Sequence, residues 1–164
     1  MTLLETTKLI NYVAASQPNI NTVIESGDIF DLNKENFEVD YSAFCATQRT
    51  HTITDEFINF NFVLYYVDRL TLDLSNKIEV QSTAIETLNN IRKTLYDMFL
   101  DTSLTVGDIE TFTQRFTAEC AGAYMYVTIT TTPGSLCAEM VNELGEFAPE
   151  EFSDDFFKWA NGRM

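Results

Sequence analysis

The strongest constraint on the fold is a strand pattern between residues 57 and 69. Apolar side chains occupy alternate positions at Ile58, Phe60, Phe62, Leu64 and Tyr66. Asn59 and Asn61 fall between the first three of these, and this period of two is typical of a β-strand with one face on a core. The intervening positions become apolar from Val63 onward, so we expect the later half of the strand to be covered on both faces.

Patterns elsewhere predict the elements that surround this strand. Apolar residues at three- and four-residue spacing predict helices over residues 2–16 and 77–100. We expect a short strand at 22–24, a hairpin formed by 41–53 and 57–69, a loop at 101–108, and a second hairpin formed by 109–118 and 121–132. The predicted fold class is therefore α+β, a two-layer sandwich in which an antiparallel sheet of two long hairpins carries both helices on one face.

A core is expected between the sheet and the second helix. The apolar stripe of that helix includes Ile78, Ala84, Ile85, Leu88, Ile91, Leu95, Met98 and Phe99. From this stripe and the alternating strand, we predict that six side chains pack together: Phe60, Phe62, Leu64, Ile85, Leu88 and Leu95.

The chain divides into a domain at 1–137 and a C-terminal segment at 138–164. The C-terminal segment holds seven acidic and two basic residues, and from Pro149 its aromatic residues recur at helical spacing. We predict a short helix there that contacts an oligomer partner through Phe147, Phe152, Phe156, Phe157 and Trp159. The alternative is that it folds back onto its own sheet, on the face bearing Val63, Tyr65 and Val67.

Charge limits the classes of partner. The sequence has 25 acidic and 10 basic residues, a formal net charge of -15. Specific nucleic-acid binding is not expected, because affinity for phosphate backbones comes chiefly from Lys and Arg. No apolar run approaches the roughly 20 residues that span a bilayer, and the first residues lack the features of a secretory signal. We therefore expect synthesis in a cytoplasm and no membrane contact.

Motifs that carry catalytic or cofactor chemistry are missing from the sequence. It contains no phosphate-binding glycine loop, nucleophile elbow or zinc-protease motif. The cysteines, Cys45, Cys120 and Cys137, are odd in number and far apart, which is unlike a zinc site or a disulfide framework. His51 is expected to be a solvent-facing strand residue, and we predict no catalytic residue, no metal site and no cofactor.

Threonines on two predicted strands form one further pattern. Thr111, Thr113 and Thr117, together with Arg115, lie on one strand, and Thr128, Thr130 and Thr132 lie on its neighbour. A sugar-binding face is one interpretation. An exposed sheet face is the simpler one, since β-branched residues suit a pleated surface.

Three segments resemble small structural proteins of tailed phages. They read LLETTKLINYVAASQPNINTVIESGDIFDLN, INFNFVLYYVDRLTLDLSNKIEVQSTAIETLNNI and TQRFTAECAGAYMYVTITT. The similarity covers residues 3–137, and its most specific parts are FVLYYVDRL at 62–70 and the helix at 84–91. These segments resemble proteins that crAss-like, Bacteroides-infecting phages encode beside their portal and tail genes, and the element order resembles the tail-terminator fold.

The resemblance implies a virion protein without catalytic residues. It implies a ring of six or twelve subunits at the head-tail connector or in the tail, touching neighbouring connector, portal or tail proteins while DNA passes through its channel. Assembly would take place in the host cytoplasm. The alternative is a protein-binding module that forms no ring, such as an assembly chaperone or a host-protein inhibitor.

Overall fold

The computed structural model describes residues 1–34, 39–99 and 103–132. Helix α1, Leu3–Ala15, begins at a capping box in which the Thr2 hydroxyl accepts the Glu5 amide and the Glu5 carboxylate accepts the Thr2 amide. Helix α2 spans Lys77–Met98. Both helices therefore lie within a residue or two of the predicted bounds.

The strands form one seven-stranded sheet. Their bounds are β1 Thr22–Val23, β2 Ala43–Gln48, β3 Thr52–Ile53, β4 Ile58–Arg69, β5 Leu104–Val106, β6 Glu110–Arg115 and β7 Glu119–Thr131. The order is β1-β2-β4-β7-β5, with β3 also paired to β4 and β6 also paired to β7. The α+β prediction is confirmed, but the sheet is mixed, because the two-residue pair β1–β2 is parallel.

Each predicted hairpin differs from the observed pairing in the same way. The predicted strand at 41–53 is interrupted, since Gln48 lies opposite Phe62 whereas Thr52 lies opposite Asn59. The segment predicted as a loop at 101–108 contains β5, and between Val106 and Glu110 the register against β7 again slips by one residue. Both flanking strands thus carry a one-residue bulge, and such bulges bend an edge strand and interrupt its pairing.

The main core lies between the sheet and both helices. The sheet contributes Phe44, Phe60, Phe62, Leu64, Tyr66, Met125, Val127 and Ile129, and the helices contribute Leu9, Ile10, Val13, Leu88, Ile91 and Leu95. Five of the six predicted core residues are in this cluster. Ile85 is not: it is 42% exposed, because the sheet covers only one side of α2.

A second apolar cluster covers part of the opposite, outer face of the sheet. Ile24 directly follows β1, and Ile29 and Leu32 lie in a 3₁₀ helix at Ile29–Asn33. All three pack with Phe116 over Cys45 and Val67. The Thr117 hydroxyl donates to the Leu32 carbonyl oxygen at 2.6 Å, which joins the two sides of this cover. The later half of β4 is therefore buried on both faces, as its sequence predicted.

Candidate functional site: interaction surfaces

His51 lies in the bulge between β2 and β3 rather than in a solvent-facing strand. Its Nδ1 accepts the backbone N–H of Asn61 at 3.1 Å, and its ring lies 5.6 Å from that of Phe60 and 6.0 Å from that of Phe62. An accepting Nδ1 places the proton of the neutral ring on Nε2, which is buried and has no hydrogen-bond partner among the described residues. The prediction of an exposed His51 was wrong, because the bulge turns the ring against the strand.

The two described cysteines are buried and free. Burial raises the pKa of Cys45 to about 11, and burial also raises the pKa of Cys120. The thiolate is the reactive form of cysteine, so neither group is activated as a nucleophile at neutral pH. Among the described residues, no three His, Cys, Asp or Glu side chains are arranged to hold a metal ion.

An aromatic face occupies the middle of the outer sheet surface; it consists of Tyr65, Phe112, Tyr124 and Tyr126. Ring centroids are 5.7 Å apart for Tyr65 and Tyr124, and 5.9 Å apart for Tyr124 and Tyr126. The Tyr124 hydroxyl donates to the Glu110 carboxylate, and this bond raises the pKa of Tyr124 to about 12. Tyr126 is 45% exposed, and exposed tyrosines are common anchors in protein interfaces.

A polar ladder continues the outer surface toward the end of β7. The Thr128 hydroxyl donates to Asn61 at 2.6 Å and the Thr130 hydroxyl donates to Asn59 at 2.7 Å. Between this ladder and Tyr126 lies an open groove of about 320 Å³, which Arg49 and Thr50 also line. The Thr128 hydroxyl and the Asn61 amide in this groove already bond each other, so they are not free to bind a ligand.

The threonines noted in the sequence do not share a face. Thr111 lies opposite Ala123, whose side chain is in the core under the helices, whereas Thr128 and Thr130 bond to asparagines on the outer surface. The bulge between β5 and β6 shifts the register by one residue, and a shift of one residue reverses the face of every side chain that follows. A single sugar-binding threonine face is thus excluded.

Four exposed apolar side chains, which we call the loop–helix patch, lie on the loop before α2 and on α2 itself: Leu72, Leu74, Ile78 and Ile85. These side chains are 105%, 45%, 74% and 42% exposed, respectively. Sequence reasoning placed both isoleucines in the apolar stripe of α2. The spacing of residues on the helix could have shown that Ile78 is exposed. Ile78 precedes the buried Val80 by two residues, which is about 200° around a helix, so the two side chains could not both face the sheet.

Hydrogen bonds hold the loop that carries the patch. The Asp73 carboxylate accepts from the Thr71 hydroxyl at 2.7 Å and the Ser75 hydroxyl at 2.9 Å, and these bonds lower the pKa of Asp73. The Asn76 side chain accepts the Thr71 amide at 2.9 Å and donates to the Arg69 carbonyl at 3.1 Å. The exposed leucines therefore extend from an ordered loop.

Leu74 has an unusual backbone conformation for its type. Its φ is 58°, in the left-handed region, where a residue other than glycine costs roughly 1–2 kcal/mol. Its side chain is 45% exposed, so part of it makes no contact within the chain. Strain of this kind concentrates at sites of function.

Positive charge borders the loop–helix patch. A cavity of about 240 Å³ beside it is lined by residues that include Leu74, Lys77, Arg115 and Glu119. Neither Lys77 nor Arg115 forms an ion pair with another described residue. The chain has a net charge of -15, so two unpaired cations beside exposed aliphatic side chains distinguish this surface by its charge.

The predicted interface residues Phe147, Phe152, Phe156, Phe157 and Trp159 lie outside the described residues, as does Cys137. No helix in the described ranges is long and apolar enough to cross a membrane.

No protein-family model matches the chain, and no curated protein is significantly similar to it. The interaction surfaces and the sequence pattern are the grounds for a functional proposal.

Proposed function

We propose that this chain is a structural virion protein, one subunit of a ring in the head-tail connector or tail of a tailed phage. The ring holds six or twelve copies, surrounds the DNA channel and joins portal-proximal components to the tail. It uses no cofactor, and its work is done by contacts with copies of itself and with neighbouring phage proteins.

The observation that carries the proposal is that one subunit offers several non-equivalent surfaces around a single sheet. One edge consists of the bulged strand β5–β6, and the other consists of β1, β2 and β3. The aromatic face lies on the sheet, and the loop–helix patch lies where β4 meets α2. A ring closes through head-to-tail contacts, which require two different complementary surfaces on every subunit.

The segments behind the phage resemblance supply the centre of this fold. Residues 62–69 form the last two thirds of β4, with Leu70 directly after it, and residues 84–91 include the buried side chains Ala84, Leu88 and Ile91 of α2. The resemblance thus concerns residues that determine the core. It supports a shared fold more directly than a shared set of contacts.

The net charge also agrees with a ring around DNA. An acidic wall repels the phosphate backbone, so a duplex slides through without binding, whereas a basic wall would hold it.

Imaging and native mass spectrometry test the proposal. The purified chain is measured alone and after mixing with the portal protein encoded by the same phage, and closed rings with six- or twelve-fold symmetry are expected in one of these states. A Thr113→Lys variant adds charge at the exposed β6 edge and should reduce the yield of rings, while Asn90→Lys adds the same charge on the exposed side of α2 and should not.

The alternative function is a protein-binding module that forms no ring, such as an assembly chaperone or a host-protein inhibitor. A stable complex with one copy of a protein that is absent from virions, with no ring in any mixture, would support this alternative and overturn the ring proposal.

A further inference from the structure

We propose that the loop–helix patch of one subunit receives the acidic, aromatic C-terminal segment of a second copy of this chain. The inference rests on the proposed function, since it names one contact by which a subunit engages the next. It assigns the patch to an occupant, residues 147–159 of the neighbour, and thereby defines the direction in which subunits follow one another.

The patch has the chemistry of an interface that is empty in the isolated subunit. Leu72 and Ile78 are among the most exposed apolar side chains described, at 105% and 74%. The hydrogen bonds of Thr71 with Asp73 and Asn76 hold the loop backbone that carries Leu72 and Leu74 before any partner arrives, so little backbone entropy is lost when one binds. Leu74 takes up a strained conformation that a glycine would adopt freely, and the exposed part of its side chain gains packing only if another surface covers it.

Charge selects the C-terminal segment as the occupant. The segment at 138–164 combines seven acidic residues with Phe147, Phe152, Phe156, Phe157 and Trp159. Aromatic rings fit against exposed aliphatic side chains, and carboxylates fit against Lys77 and Arg115, which lack acidic partners among the described residues. The groove beside Arg49 is less suited, because its floor is a ladder of asparagine and threonine groups bonded to one another.

The direction of β7 favours a second copy over the same chain. The cavity beside the patch includes Glu119 and Cys120 at the start of β7, whereas the chain leaves the sheet after Thr131 at the other end. Twelve strand steps of roughly 3.3 Å separate these ends by about 40 Å. The 15 residues from 132 to 146 would cover that distance on the same chain only if they were largely extended, since a fully extended residue spans roughly 3.3–3.6 Å. The C-terminal segment thus follows one end of β7, and the patch that would bind it lies at the opposite end. Binding between copies is then head-to-tail, the geometry from which rings close.

Isotope-coded photo-crosslinking tests the inference in the full-length protein. A photoreactive amino acid replaces Ile78 in the patch or, as the control, Ile53 on β3, which is equally exposed at 74%. Unlabelled and ¹⁵N-labelled chains are mixed in equal amounts at high concentration, irradiated and digested. The inference requires mixed-label pairs joining position 78 to peptides within residues 147–164, and no such pairs from position 53.

Two substitutions distinguish binding from folding. Leu74→Gly removes the side chain and relieves the left-handed strain, so the thermal midpoint should stay equal or rise while the mixed-label crosslink falls by roughly tenfold or more. Trp159→Asp in the partner segment should produce the same loss. A retained crosslink in both variants would overturn the inference.

The outcomes also separate this inference from the ring. Crosslinks confined to pairs of the same label would mean that the segment folds back on its own chain, and crosslinks only to peptides outside 147–164 would mean that another surface covers the patch. Either result overturns the inference and leaves the ring untouched. Mixed-label crosslinks in open chains without closed particles would uphold the contact and overturn the ring.

Discussion

Arg49 places its guanidinium carbon 4.9 Å from the centre of the Tyr126 ring. Tyr126 lies on β7 and Arg49 directly follows β2, and these two strands are not neighbours, because β4 lies between them in the sheet. Arg49 is the first residue after β2, and its backbone amide donates to the Asn61 carbonyl at 2.8 Å in the bulge. The bulge and the cation–π contact together link three strands on the outer face.

This contact should be measurable as a coupling between the two side chains. In a double-mutant cycle with Arg49→Gln and Tyr126→Leu, we expect a coupling free energy of about 0.5–1 kcal/mol, the usual range for an exposed cation–π pair. Urea denaturation of the four proteins provides the measurement. If the loss in the double mutant equals the sum of the two single losses, the two groups do not interact in solution.

Leu88 and Ile85 should respond very differently to truncation. Leu88 is fully buried between α2 and the sheet, so Leu88→Ala should cost about 2–5 kcal/mol of unfolding free energy. Ile85→Ala on the same helix should change it by no more than about 0.5 kcal/mol, because Ile85 is exposed. A loss at Ile85 as large as that at Leu88 would contradict the packing described above.

Gly122 permits the closest approach between the two long strands. A Cβ atom at this position would lie 1.8 Å from the Tyr66 carbonyl oxygen, a backbone atom that cannot move without shifting β4. We expect Gly122→Ala to cost more than about 4 kcal/mol or to prevent folding. Gly107→Ala is the matched control, since the nearest atom is then the Tyr126 Cβ at 3.6 Å and ordinary contact results. Circular dichroism and thermal unfolding of both variants check the contrast.

Asp68 should make the protein less stable as the pH rises. Burial raises the pKa of Asp68 above its value in the unfolded chain, so its ionised form opposes folding above about pH 4 and its protonated form does not. Asp68→Asn should therefore increase stability at pH 7 and have little effect near pH 3. Hydrogen bonds from Thr71 and Ser75 lower the pKa of Asp73, so Asp73→Asn should act in the opposite direction at pH 7. Denaturation midpoints at both pH values supply the test.

His51 should matter for folding through its Nδ1 acceptor. His51→Phe removes the partner of the Asn61 amide and should cost about 1–3 kcal/mol, whereas His51→Asn, which keeps an acceptor, should cost less. Urea midpoints compare the two. Equal losses would mean that ring packing against Phe60 and Phe62, rather than the hydrogen bond, explains the role of His51.

Periodic patterns predicted the elements well where one side of an element is buried. The alternation from Ile58 to Tyr66 identified both the strand and its core face, and the apolar positions from Val63 onward anticipated cover on the outer side. The helices of an α+β sheet bury its core face, and the second set of apolar positions along β4 indicated the outer cover, so a local sequence pattern was enough.

The same reasoning failed where burial depends on tertiary geometry. Ile78 and Ile85 have the same hydrophobicity as buried positions of α2, but the sheet covers one side of the helix only. Bulges at 49–51 and 107–109 each shift the register by one residue. The first contains no glycine or proline that would indicate a bulge, and His51 within it was assigned to the wrong environment. The threonine stripe beyond the second was assigned to a single face for the same reason, an unrecognised shift of register. The predicted interface at Phe152 and Trp159 remains a prediction.

The central place of β7 also sets an order of events during synthesis. This strand pairs with β4, β5 and β6, yet it comes last among the described strands. Its partner β4 is complete about fifty residues earlier, with the whole of α2 between them, and a pairing across such a distance forms slowly, because a large loop must close first. Until Thr131 leaves the ribosome, the apolar side chains of β4 have no neighbour along one side. From the completion of β4 until β7 has been made, about sixty residues of synthesis, the nascent chain therefore exposes one edge of its central strand, and an exposed strand edge of this kind is prone to aggregation.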